Sequence, residues 1–285
     1  MPELPEVETI ARSLEPRVRG RVVAGIELLF RPLLRTGGRK RLDGLVGRRI
    51  LGVRRRGKML LIECEGARTL VFHLKMTGQF MFAAEGAPRD KHVRLIIRFA
   101  DGRDELRFRD VRKFGFLLCL EGEPESACGE LAGLGPEPLE VGLAEFGAIF
   151  GARRGRIKSL LLDQRRLAGI GNIYADEMLF DARIHPETPA SSLRAAAVER
   201  LYLSMRKILA SAVEAGGSTL ADAGYRDADG NAGDFQLSHK VYDREGEPCL
   251  VCGTAIRMKR IGGRSSHFCP RCQRRRRSRR IENRV

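Results

Sequence analysis

From Val22 to Leu120 the chain alternates short apolar runs with turn residues. VVAGIELL, RRILGVRRRGKMLLIE, TLVFHLKMTGQFMF and VRLIIRFADGRDELRF are rich in β-branched and aliphatic residues, and the Asp101-Gly102 pair supplies a tight hairpin turn. A helix over about residues 5 to 18 precedes them. It opens on Pro5, Glu6 and Glu8, residue types suited to a first helical turn and to the positive end of the helix dipole. Together these elements predict an antiparallel sandwich or barrel. Gly and Pro then break any regular element at GELAGLGPEPLE, which reads as a linker.

Beyond the linker the period turns helical. SSLRAAAVERLYLSMRKILASAVEAGG opens on serines suited to capping, keeps Leu193, Ala197, Leu201, Met205 and Leu209 on or near one face, and stops at Gly216-Gly217. RIKSLLLDQ and NIYADEMLF predict two further helices joined by RRLAGIG. The stretch STLADAGYRDADGNAGDFQ, dominated by Asp, Gly and Ala, has nothing that would bury a face and is expected to be a mobile loop. The fold class is therefore α+β and multidomain. Residues 2–131 are expected to form an antiparallel β-sandwich with flanking helices, 132–143 a linker, 144–244 a helical domain, 245–273 a metal-bound hairpin, and 274–285 a disordered basic tail.

Composition adds a partner. Of 285 residues, 52 are Lys or Arg and 36 Asp or Glu, giving a net charge of +16 and favouring a polyanion such as nucleic acid or an anionic membrane surface. No stretch approaches the roughly 20 apolar residues that span a bilayer, and the acidic N-terminus does not suit a signal peptide. The expected location is the cytoplasm, in association with the nucleoid, with no membrane partner. Seven cysteines, an odd number, read as reduced thiols plus a metal site.

That metal site is the strongest single signal. Cys249-Leu-Val-Cys252 and Cys269-Pro-Arg-Cys272, separated by 16 residues, offer two thiolate pairs at the spacing that one tetrahedral Zn²⁺ requires. His267 competes less well than two matched pairs. Four protein ligands leave no open position, so the zinc is expected to be structural. Ile256 to Val285 holds 12 Lys or Arg against one Glu, and a rigid hairpin bearing arginines suits phosphate contact.

The chain begins MPELPEVETI, and the helix start leaves Pro2 and Glu3 unexplained. A small residue at position 2 permits removal of Met1, which exposes Pro2 as a secondary amine. An α-amino group titrates near ~8, so a usable fraction is neutral and nucleophilic at physiological pH. Such an amine beside a carboxylate is a candidate catalytic pair.

Taken in order, PELPEVET, RRRGKMLL, HLKMTG, DVRKFG, GPEPL, GIGNIYADE and the four-cysteine knuckle closely resemble the formamidopyrimidine-DNA glycosylase family, from Pro2 to Cys272. The resemblance implies a bifunctional glycosylase and abasic-site lyase. It would act on double-stranded DNA containing oxidised purines or abasic sites, as a monomer. It also implies a helix, two-turn, helix element in the helical domain and a zinc finger after it. Pro2 would attack C1′ and form a Schiff base, followed by β- and δ-elimination, with Glu3 as general acid and base. Lys58 would contact the damaged base or adjacent phosphate, and Asn172 phosphate near the lesion. Arg264 would grip phosphates around the flipped nucleotide and take part in δ-elimination. Met76, Arg112 and Phe114 would fill the space left by that nucleotide. His92, Arg153 and Arg154 match phosphate contacts. The sister enzyme for oxidised pyrimidines shares most of these residues, but it typically begins PEGPE, where this chain has Leu4. A non-catalytic DNA- or RNA-binding zinc protein would need neither Pro2, Glu3 nor Lys58. The arginine tail has no counterpart in the family pattern.

Overall fold

The computed structural model describes residues 1–151, 155–220 and 224–275. Arg153, Arg154 and the tail from residue 276 lie outside the described residues. The chain divides into two compact units. One comprises Met1–Glu137, Leu167–Gly169 and Leu209–Ser238; the other comprises Pro138–Arg166, Ile170–Ile208 and the remainder from His239.

In the first unit, α1 (Leu4–Val18) leads into β1 (Val23–Leu28), β2 (Leu34–Thr36), α2 (Gly38–Asp43), β3 (Ile50–Arg56), β4 (Met59–Cys64), β5 (Arg68–His73), β6 (Gly78–Ala83), β7 (Val93–Phe99), β8 (Glu105–Asp110) and β9 (Phe116–Glu121). Two short helices follow, α3 (Pro124–Ala127) and α4 (Gly129–Ala132). The strands form two open sheets, ordered β1-β7-β8-β6 and β2-β9-β5-β4-β3, a sandwich and not a barrel. All pairings are antiparallel except β2 with β9.

The run Met59 to Cys64 is nearly continuous in apolar residues because its sheet is covered on both faces. Leu60, Ile62, Leu70, Phe72, Leu117 and Cys119 point into the inter-sheet core with α1. The alternate residues Met59, Leu61, Val71, Phe116 and Leu118 point outward, onto Cys128 and Leu131. Phe72 of one sheet meets Phe80 and Phe108 of the other, with ring centroids 4.9 and 5.3 Å away. Burial pushes Cys64 up to about 12 and Cys119 to about 11, leaving both as protonated, unreactive thiols.

Two expectations are corrected here. The segment after Gly217 does bury residues: Tyr225 and Ala228 belong to the core beside α1. The Tyr225 hydroxyl donates to the Gly216 carbonyl at 2.8 Å, and the Ala228 amide donates to Ser13 Oγ at 3.1 Å. A single aromatic anchor has no period, so pattern reading passes over it. Residues 221–223 of that segment lie outside the described residues.

The second unit contains α5 (Leu143–Phe150), α6 (Ile157–Leu161), α7 (Asn172–Asp181), the first part of α8 (Ala195–Glu214), and the hairpin β10 (Arg257–Ile261) with β11 (Arg264–Phe268). Leu201, Met205 and Leu209 are the buried stripe of α8. The serines do not cap it, which is the second correction. Ser192 Oγ donates to the Pro189 carbonyl at 2.7 Å, closing a separate turn, and the Ala197 and Val198 amides of the first α8 turn donate to the Arg194 carbonyl. Among the described residues no helix is long and apolar enough to cross a membrane.

Candidate active site and nucleic-acid interface

Pro2 and Glu3 are both buried, although Met1 ahead of them is exposed. Glu3 is the N-cap of α1 and forms a reciprocal capping box with Glu6: its side chain takes the Glu6 amide, while Glu6 Oε2 accepts the Glu3 amide at 2.7 Å. The other oxygen of Glu6 accepts the Ser218 amide at 2.8 Å. The Leu4 amide donates to the Gly169 carbonyl at 3.0 Å. Gly169 has φ +84°, and a Cβ there would lie 2.8 Å from Leu4 Cβ, so only glycine lets this turn reach the N-terminus. Glu3 thus has a structural duty that pattern reading did not give it.

The same turn supports Lys58. A Cβ built at Gly57 meets the Cβ of Ala168 at 3.3 Å, next to Gly169, so the β3–β4 turn and the chain start rest on one short segment. The Gly57 amide donates to Glu137 Oε1 at 2.7 Å. Arg55 and Arg56 hold both oxygens of the same carboxylate, at 2.6 and 2.9 Å. Glu137 therefore clamps the RRRGK turn, and it sits in the GPEPL stretch that sequence reading treated as a linker.

Strand register brings the remaining residues of this unit to the same end of the sandwich. Met59 pairs with His73, and His73 with Phe116; in the other sheet Gly78 pairs with Asp110. The segments 74–77 and 111–115 are thus two of the crossovers between sheets, and both lie at the end that carries Lys58. Thr77 Oγ1 ties them together, donating to Asp110 Oδ1 at 2.5 Å and accepting the Arg112 amide at 3.0 Å. Each crossover holds a non-glycine residue in the left-handed region, Lys75 at φ 52° and Lys113 at φ 59°. On these crossovers Met76 is 39% and Phe114 49% exposed, and the Arg112 guanidinium stands 4.8 Å from the Phe114 ring. The His92 carbonyl accepts the Asp110 amide at 2.9 Å, which brings the start of β7 to the same crossover.

Sequence reading did not single out His73. Burial, with Lys75, Lys58 and Arg35 behind it, pushes its pKa down to about 3, so the ring is neutral at physiological pH. Its Nδ1 accepts the Lys75 amide at 3.1 Å, which leaves Nε2 to carry the hydrogen.

In the second unit Asn172 is the first residue of α7 and Gly171 its cap. The Asn172 amide group donates to Ser265 Oγ at 3.1 Å, and its Oδ1 is buried without a hydrogen-bond partner among the described residues. Ser265 follows Arg264, which is exposed at the start of β11, directly after the Gly262-Gly263 turn. Both glycines have positive φ, as a two-residue hairpin turn demands. β11 is moored by a pair that sequence reading missed: Lys158 Nζ, fully buried, lies 2.7 Å from Asp176 Oδ1 and donates to the Ser265 carbonyl at 2.5 Å. Asp176 Oδ2 also accepts the His267 amide at 2.9 Å. The adjacent Glu177 accepts three amides, from Lys240, Val241 and Tyr242, at 2.8 to 2.9 Å. The legible signal was an acidic pair inside an otherwise apolar helix.

The four cysteine sulfurs all lie within 4.8 Å of one another, with Cys249 to Cys272 at 3.9 Å and Cys252 to Cys269 at 3.4 Å. Zinc–thiolate bonds of about 2.3 Å place tetrahedral sulfurs about 3.8 Å apart, so the set fits one Zn²⁺. His267 is engaged with Asp176 and is not part of the cluster. The module is not held by metal alone, since Cys249, Ile256 and Cys269 pack with Phe180 and Val241. Gln273 seals its end, donating to the Ile184 carbonyl and accepting the Cys269 amide, each at 2.9 Å.

Comparison with known proteins finds three matching parts along the chain. Residues 1–117 match the formamidopyrimidine-DNA glycosylase N-terminal domain, 134–223 the H2TH domain of the same enzymes, and 246–275 the zinc finger found in FPG and IleRS. The formamidopyrimidine-DNA glycosylase of Solibacter usitatus is 46% identical over 276 residues, 96% of this chain and 100% of that one. The crystal structure of the MutM (Fpg) protein of Thermus thermophilus superposes with a TM-score of 0.86 at 44% identity, covering 95% of this chain and 98% of that one. Lactococcus lactis Fpg in complex with DNA containing N7-benzyl-Fapy-dG gives 0.88 at 37% identity, covering 96% and 100%. With its three parts matched in order along nearly the whole length, this chain belongs to the formamidopyrimidine-DNA glycosylase family.

Proposed function

We propose that this member of the family, a zinc-containing DNA glycosylase of base excision repair, excises oxidised purines from duplex DNA and then cleaves the strand as an abasic-site lyase. The observation that carries the reading is the convergence of the buried Pro2–Glu3 start and the Lys58 turn on the Ala168–Gly169 segment. That end of the sandwich also bears Met76, Arg112 and Phe114 on coupled crossovers.

In this reading Pro2, freed of Met1, is the nucleophile at C1′. The Pro2 nitrogen bonds to C1′ as the bond from C1′ to N9 breaks, and the base leaves with the bonding pair and takes up the proton that this nitrogen gives up. Glu3 protonates the ring oxygen O4′, so that the bond from C1′ to O4′ opens and leaves the iminium. The resulting iminium acidifies the C2′ hydrogen, so elimination of the 3′ phosphate follows, and then of the 5′ phosphate. Lys58 supplies a cation beside the base or phosphate. The neutral His73 adds no charge there but has a ring hydrogen available on Nε2. Met76, Arg112 and Phe114 occupy the stack vacated by the flipped nucleotide. In the other unit Asn172 and Arg264, linked through Ser265, bind phosphate, as do His92 and the Arg153-Arg154 pair. The zinc shapes the hairpin that presents Arg264 and takes no part in the chemistry. The working location is the cytoplasm, on nucleoid DNA.

Purine lesions are favoured over oxidised pyrimidines by Leu4 in PELPE and by the complete Met76, Arg112 and Phe114 set. Single-turnover excision from matched duplexes tests this. Faster release of 8-oxoguanine and formamidopyrimidine than of oxidised pyrimidines is expected, and the reverse order would assign the chain to the sister activity.

A further inference from the structure

A groove of about 1070 Å³ lies in the second unit, between the segment following α7 and the first turn of α8. Five exposed arginines line it: Arg183, Arg194, Arg200, Arg274 and Arg275. Only Arg275 has a carboxylate partner among the described residues, Glu187 at 3.6 Å. That carboxylate is already engaged by Lys259 at 2.8 Å and lies 3.8 Å from Arg156. Arg200 donates to the carbonyls of Ala182 and Ala196, which holds its guanidinium without cancelling its charge. Leu193 and Pro189 supply apolar wall between the cations. The volume exceeds that of most small-molecule sites, and a run of guanidinium forks without a lysine suits bidentate contact with phosphate oxygens. Arg274 and Arg275 are also the first two of seven arginines between Arg274 and Arg284, so the sequence adds charge where the groove wall ends.

None of these five residues belongs to the lesion-recognition set described above. We propose that the groove is a second DNA-binding surface, gripping the sugar–phosphate backbone of undamaged DNA without regard to sequence. The inference does not depend on the chemistry assigned to Pro2. The phosphates come either from the flank of the duplex being repaired or from a second duplex.

The test uses the full chain with Arg194→Gln and Arg275→Gln combined. Among the described residues neither guanidinium is hydrogen-bonded to the backbone, and parent zinc content and melting temperature verify folding. Affinity for an undamaged duplex is measured across a salt series. Loss of two phosphate contacts at about 0.9 each lowers the slope of log affinity against log salt by about 1.8. A control pair of equal charge loss in the first unit, Arg12→Gln with Arg103→Gln, leaves the slope unchanged. A parent slope in the groove variant overturns the proposal. So does displacement of the groove-bound duplex by polyglutamate at lower charge concentration than by competitor DNA, which would mark an acidic protein segment as the occupant. Titration of the parent then separates the two sources: one duplex per chain at saturation identifies the flank, and two identify a second molecule.

Discussion

Glu6 illustrates how one carboxylate sets the position of another. Its two oxygens hold the amides of Glu3 and Ser218, so the chain start is pinned from inside the first helical turn. Replacing it with alanine removes the reciprocal cap, a loss of about 0.5–2 kcal/mol. Base excision by Glu6→Ala is expected to fall at least tenfold, through misplacement of Glu3, while affinity for undamaged duplex stays near the parent value. Parent excision rates in single-turnover assays would show that Glu3 holds its place unaided. His73 leads to a pH effect. Its folded pKa, about 3, lies below the ordinary histidine value near 6.5, so between these limits the unfolded chain binds a proton that the folded chain refuses. Stability therefore falls as pH drops below about 6.5, by up to about 1.4 kcal/mol per pH unit. Between pH 6.5 and 5, above most carboxylate titration, the melting temperature of His73→Gln should depend less on pH than that of the parent. Parallel curves would contradict this.

At the scale of elements, two of the sheet crossovers and the β10–β11 hairpin are each anchored by a polar pair. For the crossovers it is Thr77 with Asp110, and for the hairpin Lys158 with Asp176. Breaking a fully buried ion pair by removing one partner costs about 3–5 kcal/mol, because the other charge stays stranded. Lys158→Met should lower the melting temperature and weaken DNA binding. Lys158→Met combined with Asp176→Leu should recover part of the stability, though not the Ser265 and His267 contacts. Calorimetry on the two variants decides, and a single variant as stable as the parent would remove the pair from the account. These ties also show what the sequence carried. Strands, helices and cysteine pairs were legible because each has a period or a spacing. The partners of Glu137, Lys158, Asp176 and Tyr225 were not, since each acts through single contacts to residues elsewhere in the chain, and even the acidic pair in α7 does not name the lysine it meets. Met76 and Phe114 were legible only through family resemblance. Apolar residues beside a strand read as core until register shows that the chain changes sheets there.

For the whole molecule, the sandwich core contains none of the four clustered cysteines, and the finger has a small apolar core of its own. Chelation should release one zinc per chain and abolish DNA binding, while the melting transition of the sandwich persists. Loss of both transitions together would mean that the metal stabilises more than the finger. Truncation to test the tail must spare Gln273, whose side chain is part of the finger, and begin at residue 276. Removing the five arginines beyond that point should lower the salt slope for undamaged DNA, with single-turnover excision at saturating enzyme unchanged. Whether Pro2 is the nucleophile is decided by borohydride trapping on duplex DNA containing 8-oxoguanine, followed by peptide mapping of the adduct. A covalent complex is expected on the peptide that begins at Pro2, and none from a form that keeps Met1 or carries Pro2→Gly. An adduct mapped to Lys58, or full excision by the Met1-retaining form, would contradict it.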